Sequence, residues 1–417
     1  MKVYFDNAAS TAVCEEAIKA MVDVMQNNYG NPSSMHTHGR NALGKLEEAR
    51  AKIADALGAK ADNVFLTSGG TEANNWAIRG ALGNLARKHK GKHIITSATE
   101  HSAVLEPIKS LENEGWEVTY LSPDSSGRIS HQDFADALRD DTVLASIMLV
   151  NNEMGAINPI SEFAKEIKRR NLPTILHTDA VQGLCKIPFT AKQLGADLIA
   201  VSSHKLHGPK GVGALYAKDG VKLSPLIIGG KHEKGKRAGT EALPAAVGFG
   251  VATELGMKEL NASRARVKDL KEYATQLIKQ GIPDAVFIGE TASNDTSTND
   301  DRPTTHTQAT ACHFKSSEEF PPTKGPNDNN SPFLLCVSLP GYKSEVLMNY
   351  LDSVGVSVSK GSACKKGARS RTLEAMRLKN DVIDGALRIS FSRYSTLEEV
   401  DYFVEKLKAA TDSIISM

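Results

Sequence analysis

The chain has 417 residues, 41% of them hydrophobic and 24% charged, with a formal net charge of +1. This length exceeds one small core and suits a large domain joined to a smaller one, while the near-neutral balance speaks against a general nucleic-acid or anionic-membrane role. No apolar run approaches the ~18–20 residues that span a bilayer, and Asp6 interrupts any apolar leader, so the expectation is a soluble, cytoplasmic protein that binds neither nucleic acid nor membrane.

Residues 12–57 read as largely helical, with a turn at Tyr29-Gly30-Asn31-Pro32. Short apolar runs then alternate with amphipathic stretches. Strands are expected at 63–68, 93–98, 117–122, 142–150, 174–179 and 198–203, with helices at 71–89, 102–114, 131–139 and 160–170 between most of them. That alternation implies βαβ units and an α/β fold with a mostly parallel central sheet flanked by helices. Past about residue 255 the rhythm changes to an α+β pattern. A helix at 254–280 precedes a strand at 285–289, and further strands at 333–339, 356–360 and 386–392 come with helices at 343–353 and 396–415. The expected division is a large domain over 12–255 and a small α+β domain made of 1–11 and 256–417. Within the small domain, 291–331 is rich in Asn, Asp, Thr, Ser and Pro and poor in aliphatics, which predicts an exposed, disordered insertion. It carries His306, Cys312 and His313, for which a solvated loop is the simpler reading than a metal site.

Ligands of parallel sheets bind beyond the carboxyl ends of the strands, and chemically capable residues recur at those ends. Lys205 closes one strand ahead of a Gly-Pro turn, where burial would lower its pKa and make it nucleophilic, although a lysine snorkelling from a strand end fits the motif equally well. Asp179 closes another, either as a partner for a pyridine-ring nitrogen or as a helix N-cap. Thr67-Ser68-Gly69-Gly70-Thr71-Glu72 lets backbone approach an anion at a helix N-terminus, without the lysine or glycine spacing of nucleotide loops; a capped Gly-Gly turn is the alternative. Five cysteines, widely spaced and without a CxxC pair, argue against a disulfide framework or zinc ribbon. Cys14, Cys185, Cys312 and Cys336 read as ordinary apolar fillers. Cys364 differs. It lies between small residues and is followed by Lys365, Lys366, Arg369 and Arg371, cations that favour the thiolate.

Taken together and in this order, these motifs resemble the NifS/IscS-like (group I) cysteine desulfurases of the class V aminotransferase family. The resemblance runs from Tyr4-Phe5-Asp6-Asn7-Ala8-Ala9 to Arg388-Ile389-Ser390-Phe391-Ser392-Arg393-Tyr394, through Gly30-Asn31-Pro32-Ser33-Ser34, Thr99-Glu100-His101, Asn151-Asn152-Glu153-Met154-Gly155 and Arg237-Ala238-Gly239-Thr240. It covers nearly the whole chain except the insertion. It implies the fold type I of pyridoxal 5'-phosphate (PLP) enzymes and the PLP-dependent conversion of L-cysteine to L-alanine, with sulfur left as a persulfide on Cys364. Lys205 would hold PLP covalently. Asp179 would pair with the ring nitrogen, Gln182 with the ring hydroxyl oxygen, and His101 would stack on the ring and assist proton transfer. Gly70, Thr71, Ser202 and His204 would hold the phosphate, and Thr240 would reach the phosphate of the neighbouring subunit in a homodimer. Asn152 would contact both cofactor and substrate, and Arg388 the substrate carboxylate. No resident metal is implied, although Cys364 has the chemistry to ligate iron–sulfur species transiently. The sulfur acceptor would be an iron–sulfur scaffold or another acceptor protein. Lys365 and Lys366 depart from the small residues usual there, leaving the acceptor open. A related PLP lyase or transaminase, and a non-catalytic scaffold, are the competing readings; Cys364 speaks against a plain transaminase and the intact residue set against a scaffold.

Overall fold

The apolar runs form one seven-stranded sheet: β2 (Val64–Thr67), β3 (His93–Ser97), β4 (Glu117–Leu121), β5 (Thr142–Ser146), β6 (Ile175–Asp179), β7 (Leu198–Ser202) and β8 (Gly213–Ala217), preceded in the chain by a short β1 (Val3–Tyr4) that belongs elsewhere. The computed structural model describes residues 1–85, 91–290, 329–360 and 369–414. The strand order is β2-β8-β7-β6-β5-β3-β4, and all five strands from β7 to β4 are parallel. β8 lies antiparallel to both β7 and β2. Its five small and apolar residues follow a Gly-Pro-Lys-Gly turn, so the sequence reads as the tail of that turn rather than as a strand. The order reverses between β3 and β5, a switch point of the kind beside which ligands of such sheets bind.

The ladder of β5 ends at Ser146, short of the expected Val150. Beyond it Ile147 and Leu149 still donate to the carbonyls of His177 and Asp179 in β6, while the Asn158 side chain takes the carbonyl of Met148 (2.8 Å). The helix expected at 254–280 is two helices, Leu243–Lys258 and Leu260–Gly281. The first is apolar almost all round and so lacks amphipathic periodicity. It is buried against helices Glu15–Asn27 and Thr37–Ala56, and Gly250 sits so close to Ala49 that a Cβ there would stand 2.9 Å from its Cα.

The second body of structure is an antiparallel sheet in the order β12-β10-β9, formed by β9 (Val286–Ile288), β10 (Leu334–Ser338) and β12 (Ala386–Ser390). β11 (Val356–Ser357) pairs in parallel with β1. Val3 and Phe5 are buried with Leu335, Val337, Leu387, Ile389 and Phe403, a cluster separate from the one under the seven-stranded sheet. Of the stretch 291–331, only residues 329–331 are described. They are tied down rather than exposed as a group: Asn329 accepts from Ile157 N (2.9 Å), Ser331 N donates to Gly155 O (2.8 Å), and Ser331 is buried. His306, Cys312 and His313 lie outside the described residues.

Candidate active site

Lys205 follows β7, and burial pushes its amine down to about 8, with the Arg388 guanidinium adding to the effect and Asp179 opposing it. Nζ donates to the carbonyls of Ala8 (2.7 Å) and Ala9 (2.8 Å), so the N-terminal segment closes over the end of the sheet. His204 beside it is held neutral, its pKa about 4, by burial and by Lys205 and Lys210.

Asp179 ends β6, buried. Its Oδ2 accepts from Asn74 Nδ2 (2.7 Å) and its Oδ1 from Val181 N (3.0 Å). Asn74 projects from the helix Gly70–Leu85, so the second strand–helix unit fixes the carboxylate of the sixth strand. Gln182 lies one turn on. Its Nε2 donates to Ala8 O (2.9 Å) and its Oε1 accepts from Lys186 Nζ (2.7 Å), which fixes the amide orientation, because one neighbour can only accept and the other can only donate. Lys186 is fully enclosed, and burial, with Lys205 and Arg388 nearby, pushes it down to about 7.

The glycines at 69–70 turn β2 into the helix Gly70–Leu85. Gly70 is required to be small: a Cβ would meet Val181 Cγ2 at 2.8 Å and Ser202 Cβ at 3.5 Å. The cradle, the Asp179 loop and the end of β7 therefore converge at one point. Thr71 is exposed at its lip. Glu72 receives Arg237 through Nε (2.9 Å) and Nη2 (3.1 Å), and Ser68 N (2.8 Å). The same loop is fastened again by Glu233, which is buried with Arg50 (2.6 and 2.8 Å) and accepts from Leu66 N (2.9 Å). Two adjacent left-handed residues, Glu233 and Lys234, shape it. Thr240 at its end is exposed, and no hydrogen bond among the described residues ties it to Lys205 or its neighbours.

At the other side Arg388, buried on β12, donates from Nη2 to Asp6 Oδ1 (2.8 Å) and from Nη1 to the carbonyl of Asn152 (3.0 Å). His101 caps the helix Ser102–Asn113, its Nδ1 accepting from Ala103 N (3.1 Å), so the free proton sits on Nε2. Desolvation holds the ring below the usual imidazole pKa, with Lys205 and Arg371 acting in the same direction and Asp179 against. Under it, Glu100 is wholly enclosed and pushed up to about 8 by burial, its Oε1 accepting from Ser97 Oγ (2.7 Å) and Met148 N (2.8 Å).

Sequence comparison places these features in a family. The aminotransferase class-V profile matches residues 3–312 and 300–403. The chain belongs to the aminotransferase class-V family. Within it the chain is NifS/IscS-like. It is 39% identical over 415 residues to a protein of Dictyoglomus turgidum named cysteine desulfurase IscS, covering 99% of this chain and 95% of that one. It is 38% identical over 418 residues to the cysteine desulfurase IscS of Methanosarcina thermophila, covering 100% and 93%. A solved NifS-like protein superposes with a TM-score of 0.85 at 33% identity, covering 99% of this chain and all of the other. A structure described as SspA in complex with cysteine gives a TM-score of 0.72 at 30% identity, covering 95% of this chain.

Class-V enzymes of this group use PLP, and the residues fit it. Ser202 Oγ, beside Gly70, is buried and has no hydrogen-bond partner among the described residues, which suits a phosphate ligand. Asp179, a carboxylate held by two donors, suits a protonated ring nitrogen, and Lys205 offers a desolvated amine. Asn74, Lys186 and Glu72 act on the predicted set without having been singled out for it. Glu72 stands in the Gly69-Gly70 motif without a role of its own there, and Lys186 shows as a cation inside the apolar run Leu184-Cys185-Lys186-Ile187. Cys364 lies outside the described residues. Of the others, Cys14, Cys185 and Cys336 are buried, and burial pushes Cys185 and Cys336 up to about 12, so both stay protonated thiols. Cys312 is likewise outside the described residues.

Proposed function

We propose that this chain is a PLP-dependent cysteine desulfurase that moves the sulfur of L-cysteine to the thiol of Cys364 and releases L-alanine. One observation carries the reading: the desolvated Lys205 amine stands at the end of a parallel sheet with Asp179 and Arg388 acting on it, in a chain similar along its whole length to enzymes named for that activity. The reading assigns PLP to Lys205, Asp179, Gln182, His101, Asn152, Gly70, Thr71, Ser202 and His204, with Thr240 serving the neighbouring subunit of a homodimer. When bound, PLP supplies an electron sink for the bonds at the Cα of the amino acid.

The chain's own residues do the rest. Asp179, oriented by Asn74, would pair with the ring nitrogen. Arg388 and Asn152 orient the substrate through its carboxylate; Arg388 shares itself between that group and Asp6. Lys205, its amine pushed down to about 8 by burial, would be placed to take and return the Cα proton near neutral pH. His101 presents a neutral ring whose Nε2–H faces outward from its cap. The Cys364 thiolate attacks the substrate sulfur: an S–S bond forms, the Cβ–S bond breaks, and a proton completes the alanine methyl group. The persulfide then passes to an iron–sulfur scaffold or another acceptor protein, and we place these events in the cytoplasm, where that thiol is kept reduced. The test is the PLP-loaded protein with L-cysteine and a reductant. Equal amounts of alanine and sulfide are expected, neither from Lys205→Ala, and no sulfide from Cys364→Ala. Pyruvate and ammonia as products, or unimpaired desulfuration by Cys364→Ala, would refute the assignment.

A further inference from the structure

Glu153 has no part in the chemistry above, yet its surroundings are unusual. It is 4% exposed and lies in the turn that follows β5. Its two carboxyl oxygens each accept a hydroxyl from the same short piece of chain: Oε1 from Thr372 Oγ1 (3.2 Å), and Oε2 from Ser370 Oγ. Ser370 also caps the helix Arg371–Ala375 by accepting from Leu373 N (3.2 Å). Burial pushes the Glu153 carboxyl up, the two hydroxyls and the cations Arg388 and Arg371 acting against that rise.

Further contacts radiate from the turn and from the helix Arg371–Ala375. Asn151 Oδ1 accepts from Glu153 N (2.9 Å) and Met154 N (3.1 Å), and its Nδ2 reaches Thr99 O (3.4 Å), two residues before His101. The carbonyl of Asn152 takes Arg388 Nη1 (3.0 Å). From the far side, Arg371 donates to Ser102 Oγ (3.3 Å) and pairs with Glu106 (3.5 Å), both on the helix that His101 caps. One turn thus ties the guanidinium at Arg388 and the segment of His101 to the start of the helix Arg371–Ala375. Cys364 precedes Ser370 by six residues. At no more than ~3.6 Å per residue its Cα cannot lie more than about 22 Å from that of Ser370, whatever path the chain takes between them.

We infer that Glu153 is a positioning residue for sulfur transfer, fixing the chain that follows Cys364 relative to the Arg388 end of the substrate site. A carboxyl group removed from water this thoroughly is costly to bury and is weak evidence of stabilisation alone. Holding two polar segments in one geometry is what it does that an apolar residue could not. The inference rests on the desulfurase reading, and the transferred sulfur is its readout.

The experiment uses the PLP-loaded protein in single turnover, following two signals: the change in visible absorption when L-cysteine binds, and the added sulfur mass on Cys364. In Glu153→Ala and in the double variant S370A/T372V, L-cysteine should still bind with its affinity within about twofold, while persulfide formation slows roughly 10- to 100-fold, the cost of losing reactant alignment. Glu153→Gln, which keeps an acceptor oxygen, should recover most of the rate. Persulfide formation at the wild-type rate in both S370A/T372V and Glu153→Ala would overturn the inference. So would a parallel loss of binding and transfer, the mark of a merely structural role. The double variant leaves the carboxyl in place and serves if Glu153→Ala does not fold. A wild-type protein that puts no sulfur on Cys364 would instead overturn the desulfurase reading, and this inference with it.

Discussion

Replacing Glu100 by Gln should alter how stability depends on pH. The carboxyl group is wholly enclosed and its pKa is raised from 4.5 to about 8, chiefly by desolvation. The folded protein therefore keeps a proton that the unfolded chain releases above pH 4.5. Folding is favoured by that proton at low pH, and the benefit is lost as the pH climbs through 8. With one pH unit of separation worth about 1.36 kcal/mol, the loss between pH 5 and pH 9 comes to about 4 kcal/mol. The amide introduced by Glu100→Gln cannot titrate, and its carbonyl oxygen still accepts from Ser97 and Met148. Other groups, Lys186 and Lys205 among them, titrate in the same range, so the informative quantity is the difference in unfolding free energy between wild type and variant. Denaturant unfolding of both apoproteins from pH 5 to 9 should show the variant gaining on the wild type by several kcal/mol. A difference constant to within about 1 kcal/mol would mean that Glu100 is ionised in the fold, and the argument from burial would fail.

Uptake of PLP by the apoprotein, followed by absorption, should rise with pH and level off above about 8, where the Lys205 amine is deprotonated; a rise continuing toward 10.5 would show an ordinary lysine. Asn74→Ala removes a donor from buried Asp179, and should lower stability by roughly 1–3 kcal/mol and shift the absorption of the bound cofactor, since the carboxylate is no longer fixed. Glu233→Ala should destabilise by about 3–5 kcal/mol in denaturant unfolding, because Arg50 is left charged, buried and without its bidentate partner. Cys185→Ala and Cys336→Ala should retain desulfurase turnover and lose only stability, in contrast to Cys364→Ala, because both thiols are buried and protonated.

Much of the site can be read from the chain because parallel strands bring their carboxyl ends to one edge. A polar residue directly after each apolar run is then near the others without any knowledge of contacts, which is how Lys205, Asp179, His101 and the Gly69-Gly70 turn declare themselves. The residues that fix these groups are not legible in that way. Asn74 lies 105 residues from Asp179, Glu153 lies 217 from Ser370, and Asp6 lies 382 from Arg388. Their polarity is apparent in the sequence; their partners are settled only by the tertiary fold, within one body for Asn74 and Asp6 and between the two for Glu153. β8 and the helix Leu243–Lys258 escape for a different reason, since small residues and all-round burial erase the periodicities by which strands and helices are recognised.

The pairing of Val3 and Tyr4 with Val356 and Ser357, and of Asp6 with Ser390, has a bearing on biogenesis. The ribosome makes these residues more than 350 residues ahead of their partners. Until then the segment that supplies the Ala8 and Ala9 carbonyls to Lys205 has no β-partner to hold it. The seven-stranded sheet can assemble from neighbouring units while translation continues, but the pocket around the lysine is completed by contacts of very long range, which form late. Cofactor capture in its final geometry is thus a step that follows synthesis of β11 and β12. A nascent chain stalled before β12 would carry a folded sheet with an unfinished amine site.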